Sequence, residues 1–430
     1  MSSRYKWYVV AMLWWVALFN YADRQAIFSV FPLLEREMHL NPVELGLLGS
    51  SFAWVYGLCA PFAGNIVDRV RRKTAVLGGL HIWSVICAAT AASQNLRHLL
   101  LFRAAEGLGE TFYFPSAMSM ISDYHGRTTR SRAMGFHQTS VYAGTIAGGF
   151  CGGILGQYFG WRMPFITFGG LGIVLGIILQ RFLQEPSRGA ADLADLGATS
   201  RVAVMPKMPL PQFLRVIWGT PTVLFLMAAF MCDNFVVMVL FSWMPKFLYD
   251  KFHMGLAMAG LTATIPVQLA CMVGSPLGGW LADVLRRHTP GGRMIVQAIG
   301  VLCSAPFVVW CGMTQSVGWL VVSLTIWGFF IGIYDANIFA SVFDVVRPEA
   351  RGTAAGFMNM MGWLAGAGTA PVVIGYIAQR ESLSLAISLA AVGYVLAGAL
   401  LLTGILGFVK RDVQRMEQAL AAETTPPQGV

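Results

Sequence analysis

Gly64-Asn-Ile-Val-Asp68-Arg69-Val-Arg71-Arg72-Lys73 returns 215 residues later as Gly279-Trp-Leu-Ala-Asp283-Val-Leu-Arg286-Arg287. Each copy is a short basic loop between two long apolar runs. A second echo sets Asp123, Arg130, Gly135 and Phe136 against Asp344, Arg351, Gly356 and Phe357, a shift of 221. Two loops repeated in order at nearly one offset identify a duplicated half. In a chain this apolar, a duplicated half predicts a transporter whose site lies between two similar bundles.

Composition sets the class. Of 430 residues, 56% are hydrophobic and 12% charged, and the mean hydropathy is +0.62. Soluble domains carry roughly 25% charged residues, so the polar cover for a soluble core is missing. Apolar runs of about 20 residues, the length that crosses a bilayer, recur along almost the whole chain. Twelve spans are expected, near 7–33, 44–67, 74–94, 98–122, 133–157, 161–183, 217–244, 257–282, 293–313, 316–343, 352–378 and 385–408. The expected fold class is an all-α membrane protein of twelve transmembrane helices. It divides into six-helix bundles over 1–183 and 217–411, a cytoplasmic linker over 184–216 and a cytoplasmic tail over 412–430.

The net charge of +9 raises the question of nucleic acid, and its distribution answers it. With both termini inside, 22 of the 30 Lys and Arg fall on the cytoplasmic side. Six fall outside (Arg36, Arg97, Arg162, Lys246, Lys251 and Arg380), and Arg24 and Arg103 lie within spans. That asymmetry is the positive-inside signature, so the basic residues orient the chain and meet lipid headgroups. The first apolar run is too long for a signal-peptide core and no small-residue cleavage site follows it, so no cleavable signal is expected. All seven cysteines fall in spans without CxxC or Cys/His spacing, and read as packing residues with no metal implied.

Polar groups at membrane depth are costly, which makes each one a functional candidate. Span one holds Asn20, Tyr21, Asp23 and Arg24, and span four holds Arg103, Glu106 and Glu110. At 100° per residue the last three share one helix face within about 60°. At 1.5 Å per residue, Asp23 and Glu110 lie roughly 16 and 18 Å from the outer ends of their helices, so they are placed to meet. One Arg among several carboxylates cannot neutralise them all, which leaves at least one able to carry a proton. An Arg fork suits a carboxylate or phosphate. The bland alternative is that both Arg simply pair with Asp23, Glu106 and Glu110 to hold helices together. Glu106, one turn from Arg103, is the natural structural partner.

In the second half, Asp233, Gln268, Tyr334, Asp335, Asn337 and Asn359 fall within spans. They either line a cavity and read substrate hydroxyls or make ordinary interhelical hydrogen bonds. Tyr113, His137 and Gln138 are further cavity candidates. Glycines crowd span five at Gly144, Gly148, Gly149, Gly152, Gly153 and Gly156, a pattern for close helix approach.

The loop from Gly64 to Lys73 resembles the signature of the major facilitator superfamily between its spans two and three, with Arg71 where that family has glycine. The resemblance covers residues 7–408. It implies that Gly64, Asp68, Arg69, Arg72, Asp283 and Arg287 belong to loops that clamp the halves in one state, with the Asp capping a neighbouring helix. Asn20-Tyr-Ala-Asp23-Arg24, with Arg103 and Glu110 seven apart, resembles the organic anion:cation symporters, whose matching carboxylates are proton sites. The run from Gly107 to Pro115 is also similar to spinster-type transporters of lysolipids. The glycine–proline motif of drug antiporters is absent from span five.

The expectation is a proton-coupled symporter of a small organic anion such as a sugar acid or aromatic acid. Asp23, Glu110 and Glu106 would carry coupling, and Arg24, Arg103 and Tyr21 would hold substrate. Alternatives are a spinster-like lysolipid transporter and a drug or metabolite efflux antiporter. No enzyme is expected, since no nucleophile–base pair, metal spacing or phosphate loop occurs. The expected partners are an anionic solute, protons and the bilayer, without nucleic acid. The energy source is a proton gradient in place of a cofactor. A monomer in a bacterial inner membrane is expected.

Overall fold

The computed structural model describes residues 4–67, 69–126, 128–187, 191, 215, 217–347 and 350–424. Asp68, most of the expected linker and the end of the tail lie outside the described residues.

Span one is α1 (Tyr5–Ser29), followed after Val30 by α2 (Phe31–Met38). Span two is α3 (Pro42–Val67) and span three α4 (Arg72–Thr90). Span four is two helices, α5 (Leu96–Glu110) and α6 (Tyr113–Tyr124). Spans five and six are α7 (Arg130–Phe159) and α8 (Met163–Phe182). The second half repeats the plan with α9 (Pro221–Phe252), α10 (Leu256–Arg286) and α11 (Gly292–Met313). Span ten again breaks, into α12 (Val317–Asp335) and α13 (Ile338–Phe343). Span eleven is α14 (Arg351–Met361), a π-helical turn over Gly362–Ala367 and α15 (Ala370–Arg380). Span twelve is α16 (Leu383–Leu389) with α17 (Ala391–Gly407), and α18 (Val409–Thr424) follows.

Local chemistry sets several ends. Asn41 and Glu44 form a reciprocal capping box at the start of α3: the Glu44 N–H donates to Asn41 Oδ1 (3.0 Å) and the Asn41 N–H to Glu44 Oε2 (2.9 Å). Pro42 takes the first helical position, where its missing N–H costs nothing. Asn95 caps α5 by accepting from the His98 N–H at 3.0 Å. Among the described residues, nine helical stretches are long and apolar enough to cross a membrane. Spans one, four and five are not among them. Spans one and four hold the buried cluster of Asp23, Arg24, Arg103, Glu106 and Glu110, span four is also broken in two, and span five is dense in glycine.

The chain divides into two compact units. Unit 1 is Met1–Val204, Val239–Ile265 and Gly368–Arg380; unit 2 is Met205–Met238, Pro266–Ala367 and Glu381–Val430. In unit 1, Val9, Leu13, Val76, Leu80, Trp83 and Met120 anchor one apolar core. Spans one and five meet through residues four apart on both helices. A methyl carbon at Gly144 would lie 2.5 Å from the Leu18 carbonyl oxygen, at Gly148 2.8 Å from Ala22 Cα, at Gly152 3.1 Å from Ala26 Cα and at Gly156 2.9 Å from Val30 Cγ1. Only a bare backbone fits there. In unit 2, α10 and α12 meet the same way: methyl carbons at Gly328 and Gly332 would lie 2.7 and 2.8 Å from the Val267 and Cys271 carbonyl oxygens.

Candidate functional site

Gly107 positions the charged face of span four. A methyl carbon there would lie 2.6 Å from the Phe52 carbonyl oxygen, so α5 seats directly on α3. The Thr111 hydroxyl donates to the Gly107 carbonyl at 2.6 Å, next to the break between α5 and α6. This brings Arg103, Glu106 and Glu110 against Asp23 and Arg24. All five are buried, the most exposed being Arg24 at 8%.

Their pairing is specific. Arg24 Nε donates to Glu110 Oε2, and Arg103 Nη1 donates to Glu106 Oε2. Asp23 lies within electrostatic reach of both other carboxylates and both guanidinium groups, yet its Oδ1 has no hydrogen-bond partner. The cluster therefore holds three carboxylates against two guanidinium groups. Glu110 Oε1, Glu106 Oε1 and Asn20 Nδ2 are likewise buried without a partner, which leaves hydrogen-bonding capacity inside the site.

An aromatic cage completes it. The Arg24 guanidinium carbon lies 4.8 Å from the Tyr21 ring centroid, 5.0 Å from Phe52 and 4.7 Å from Tyr56. Phe52 also lies 4.9 Å from the Arg103 guanidinium, so one ring serves both cations. Phe52 and Tyr56 stack at 5.9 Å, one helical turn apart. Sequence reasoning missed both. Their signal was the i, i+4 aromatic pair in the span that precedes the signature loop. Asp23, Cys87 and Glu106 each bring one possible ligand atom within 4.8 Å of the others. Arg103 already occupies Glu106, and a guanidinium at that carboxylate opposes a metal dication there.

The remaining candidates separate. The Tyr113 hydroxyl donates to the Leu13 carbonyl (2.6 Å) and meets His137 Nε2 (2.9 Å), a buried link among spans one, four and five. Gln138 is exposed. Asp233, Gln268, Tyr334, Asp335, Asn337 and Asn359 belong to unit 2. Asn337 spends its amide on the Gly278 and Ile333 carbonyls (3.2 and 3.1 Å), which makes it a helix link and not a free cavity donor. Gln268 and Tyr334 are buried, and Asn359 is half-buried on α14.

The duplicated loops make duplicate bonds. Arg72 Nε pairs with Asp123 Oδ2 (3.4 Å), and Arg286 Nε pairs with Asp344 Oδ2 (3.3 Å). Arg130 Nη2 donates to the Ser122 carbonyl (3.2 Å) and Arg351 Nη2 to the Phe343 carbonyl (3.0 Å), each eight residues back. Two expectations shift. In the second half Asp344 pairs with Arg286 and, at 2.6 Å, with Arg293, while Arg287 is exposed. Among the described residues Asp283 caps no helix and pairs with Arg293, at 3.2 Å. Arg69 and Gly64 line the turn, where Arg69 is exposed and open space surrounds Gly64.

A duplicated twelve-helix fold with a charged cluster buried in its spans defines a multi-pass membrane transporter and not an enzyme. The chain belongs to the Major Facilitator Superfamily, whose family model matches residues 13–371. It is 24% identical over 385 residues to the hexuronate transporter of Bacillus subtilis (strain 168), across 88% of this chain and 90% of that one. It is 28% identical over 467 residues to protein spinster homolog 1 of Bos taurus, across 99% of this chain and 86% of that one. A crystal structure of a bacterial homolog to the human lysosomal transporter Spinster, inward-facing and unoccupied, matches with a TM-score of 0.84. The identity is 22%, over 95% of this chain and 99% of that one, a likeness in fold.

Proposed function

We propose that this chain is a proton-coupled symporter of a small organic anion, a carboxylate of the sugar-acid or aromatic-acid kind. The observation that carries the reading is the caged Arg24 beside three carboxylates and one further cation. The relation to a hexuronate transporter supports the substrate class.

The cluster binds in sequence. Three carboxylates against two guanidinium groups leave one negative charge, and a proton on Asp23, whose Oδ1 lacks a donor, neutralises it. A second proton on Glu110 releases the Arg24 fork to a substrate carboxylate, for which two parallel N–H bonds are well shaped. Tyr21, Phe52 and Tyr56 hold the guanidinium in place while it changes partner. A loaded, neutral cluster then favours the state that opens to the other side. Substrate and proton drive that step only through their different affinities for the two states. The paired loops around Arg72–Asp123 and Arg286–Asp344, with Asp68, form the latch for this exchange. The protein works as a monomer in a bacterial inner membrane with both termini cytoplasmic.

Alignment with a spinster homolog over 99% of this chain favours a second reading, transport of a lysolipid. One experiment separates the two. Proteoliposomes holding a pH-sensitive dye are offered sugar acids, aromatic acids and lysolipids in parallel. Acidification of the lumen by one carboxylate, lost in Arg24→Ala and in Glu110→Gln, supports the symporter. Silence with every carboxylate, together with movement of a lysolipid, overturns it in favour of the second reading.

A further inference from the structure

Each half carries a pair of acids on the same two of its spans. In unit 1, Asp23 and Glu110 stand on spans one and four; in unit 2, Asp233 and Asp335 stand on spans seven and ten, the same two members of the repeat. Glu110 is the last residue of α5, and Asp335 is the last residue of α12. Each span restarts three residues later, at Tyr113 and at Ile338. The halves differ in what balances the acids. Asp23 is followed by Arg24, with Arg103 one turn before Glu106, whereas Asp233 is followed by Asn234, whose amide donates to the Phe230 carbonyl at 2.9 Å.

Asp233 is 2% exposed, and its Oδ1 has no hydrogen-bond partner. Asp335 is solvent-accessible, and the two carboxylates lie within electrostatic reach of each other. The titratable groups around them are Cys232, Cys271, Tyr334 and Tyr394. None of these is a cation, and among the described residues no Lys or Arg acts on either carboxylate. Asp335 also stands at the C-terminal end of α12, where the helix dipole adds further negative potential. The π-helical turn packs against the same stretch of α9: a methyl carbon at Gly366 would lie 2.9 Å from Asn234 Cβ. Such turns recur at functional sites.

We propose that Asp233 and Asp335 form a second protonation site, holding one proton between them. Asp233 is buried with no countercharge and Asp335 adds a like charge within electrostatic reach, so a proton held by the pair removes one of two uncompensated charges. Asp335 is the member that water reaches, so it is the port through which the proton enters. The assignment extends the transport reading above with a second coupling site, but its first measurement needs no substrate.

That measurement is infrared spectroscopy of the purified full chain in lipid nanodiscs at neutral pH, following the carbonyl band of protonated carboxylic acids and its shift in heavy water. Asp233→Asn and Asp335→Asn each lift the mutual repulsion. Asp233→Asn is expected to remove one carboxyl component, because Asp335 alone is open to water. Asp335→Asn is expected to shift that component without removing it, because Asp233 stays buried without a countercharge, and the double variant is expected to remove no more than Asp233→Asn does. Asp335→Glu restores a carboxyl and is expected to retain the component, which guards against loss through misfolding. Asp23→Asn is expected to leave it in place. Additive losses in the two single variants, or a spectrum unchanged by either, overturns the shared proton. Failure here leaves the symporter reading standing, and failure of every carboxylate in the dye assay leaves this site standing.

Discussion

The Arg24 guanidinium lies 4.7 Å from the ring centroid of Tyr56, closer than to either of the other two rings around it. An arginine that must exchange a carboxylate of its own for one from a substrate needs a hold that does not compete for its N–H groups. An aromatic face provides one. Tyr56→Leu removes that face and is expected to weaken substrate binding about tenfold, equivalent to about 1.4 kcal/mol, within the range for a desolvated cation–π contact. Tyr56→Phe keeps the face and is expected to stay within about twofold of wild type. Radiolabelled-substrate binding to the purified protein checks both, and equal losses in the two variants would assign the effect to the hydroxyl.

Glycines in this chain divide by what surrounds them. Gly148 faces the Ala22 backbone, while nothing lies within 4 Å of a methyl carbon at Gly64 or Gly135. Gly148→Ala overpacks the joint of spans one and five and is expected to cost about 1–3 kcal/mol. Gly64→Ala and Gly135→Ala are expected to change stability by no more than about 0.5 kcal/mol. Thermal unfolding in one detergent, with all three variants side by side, tests the ranking. A Gly64→Ala variant that unfolds as readily as Gly148→Ala would contradict the packing described for that turn.

His125, at the loop end of α6, ties that loop to the start of α1. Its Nδ1 accepts from the Thr129 hydroxyl at 3.0 Å and its Nε2 donates to the Lys6 carbonyl at 3.1 Å. Burial pushes its imidazole down from the ordinary value of about 6.5; the Lys6 carbonyl bond works against this, and the Lys6 charge adds to it. A histidine held neutral binds fewer protons in the folded chain than in the unfolded one. Stability is therefore unaffected above pH of about 6.5 and declines as the pH falls below it. Melting temperatures measured through that window are expected to fall more steeply for wild type than for His125→Gln. Parallel curves would show that the imidazole does not contribute.

The charge cluster was legible because burial of charge is rare and depth is arithmetic. Asp23, Arg24 and Glu110 could be brought together from helix rise alone, and Glu106 went to Arg103 as its spacing suggested. Phe52 and Tyr56 carried only their one-turn spacing as a signal, since an aromatic in an apolar helix looks the same whether it packs against leucine or guanidinium. The break after Glu110 had a signal that went unread, Pro115, which has no N–H for the Thr111 carbonyl four residues back, whereas the break after Asp335 has no proline beside it. The second acid pair was visible only as separate residues until the two breaks aligned it with the first. The exchange of Arg287 for Arg286 has a plain cause: the repeated loop is matched by residue type, and a helix rotates 100° per residue, so one step changes which Arg faces Asp344.

Lys246 offers the sharpest test of non-additivity. It is 5% exposed on α9 and pairs both with Glu35 of α2 and, at 2.7 Å, with Asp250 one turn along its own helix. Both acids are more open to solvent than the lysine, so each alone is a modest partner in competition with water. Removing one leaves the other in place, and Glu35→Gln or Asp250→Asn is expected to cost about 1 kcal/mol or less. Removing both strands a buried ammonium, and the pair is expected to cost about 3–5 kcal/mol, well beyond the sum of the single changes. Lys246→Met with both acids neutralised takes away the stranded charge and is expected to recover much of that loss. Unfolding of the four variants in detergent decides it, and simple addition in the double variant would mean that Lys246 finds water once its acids are gone.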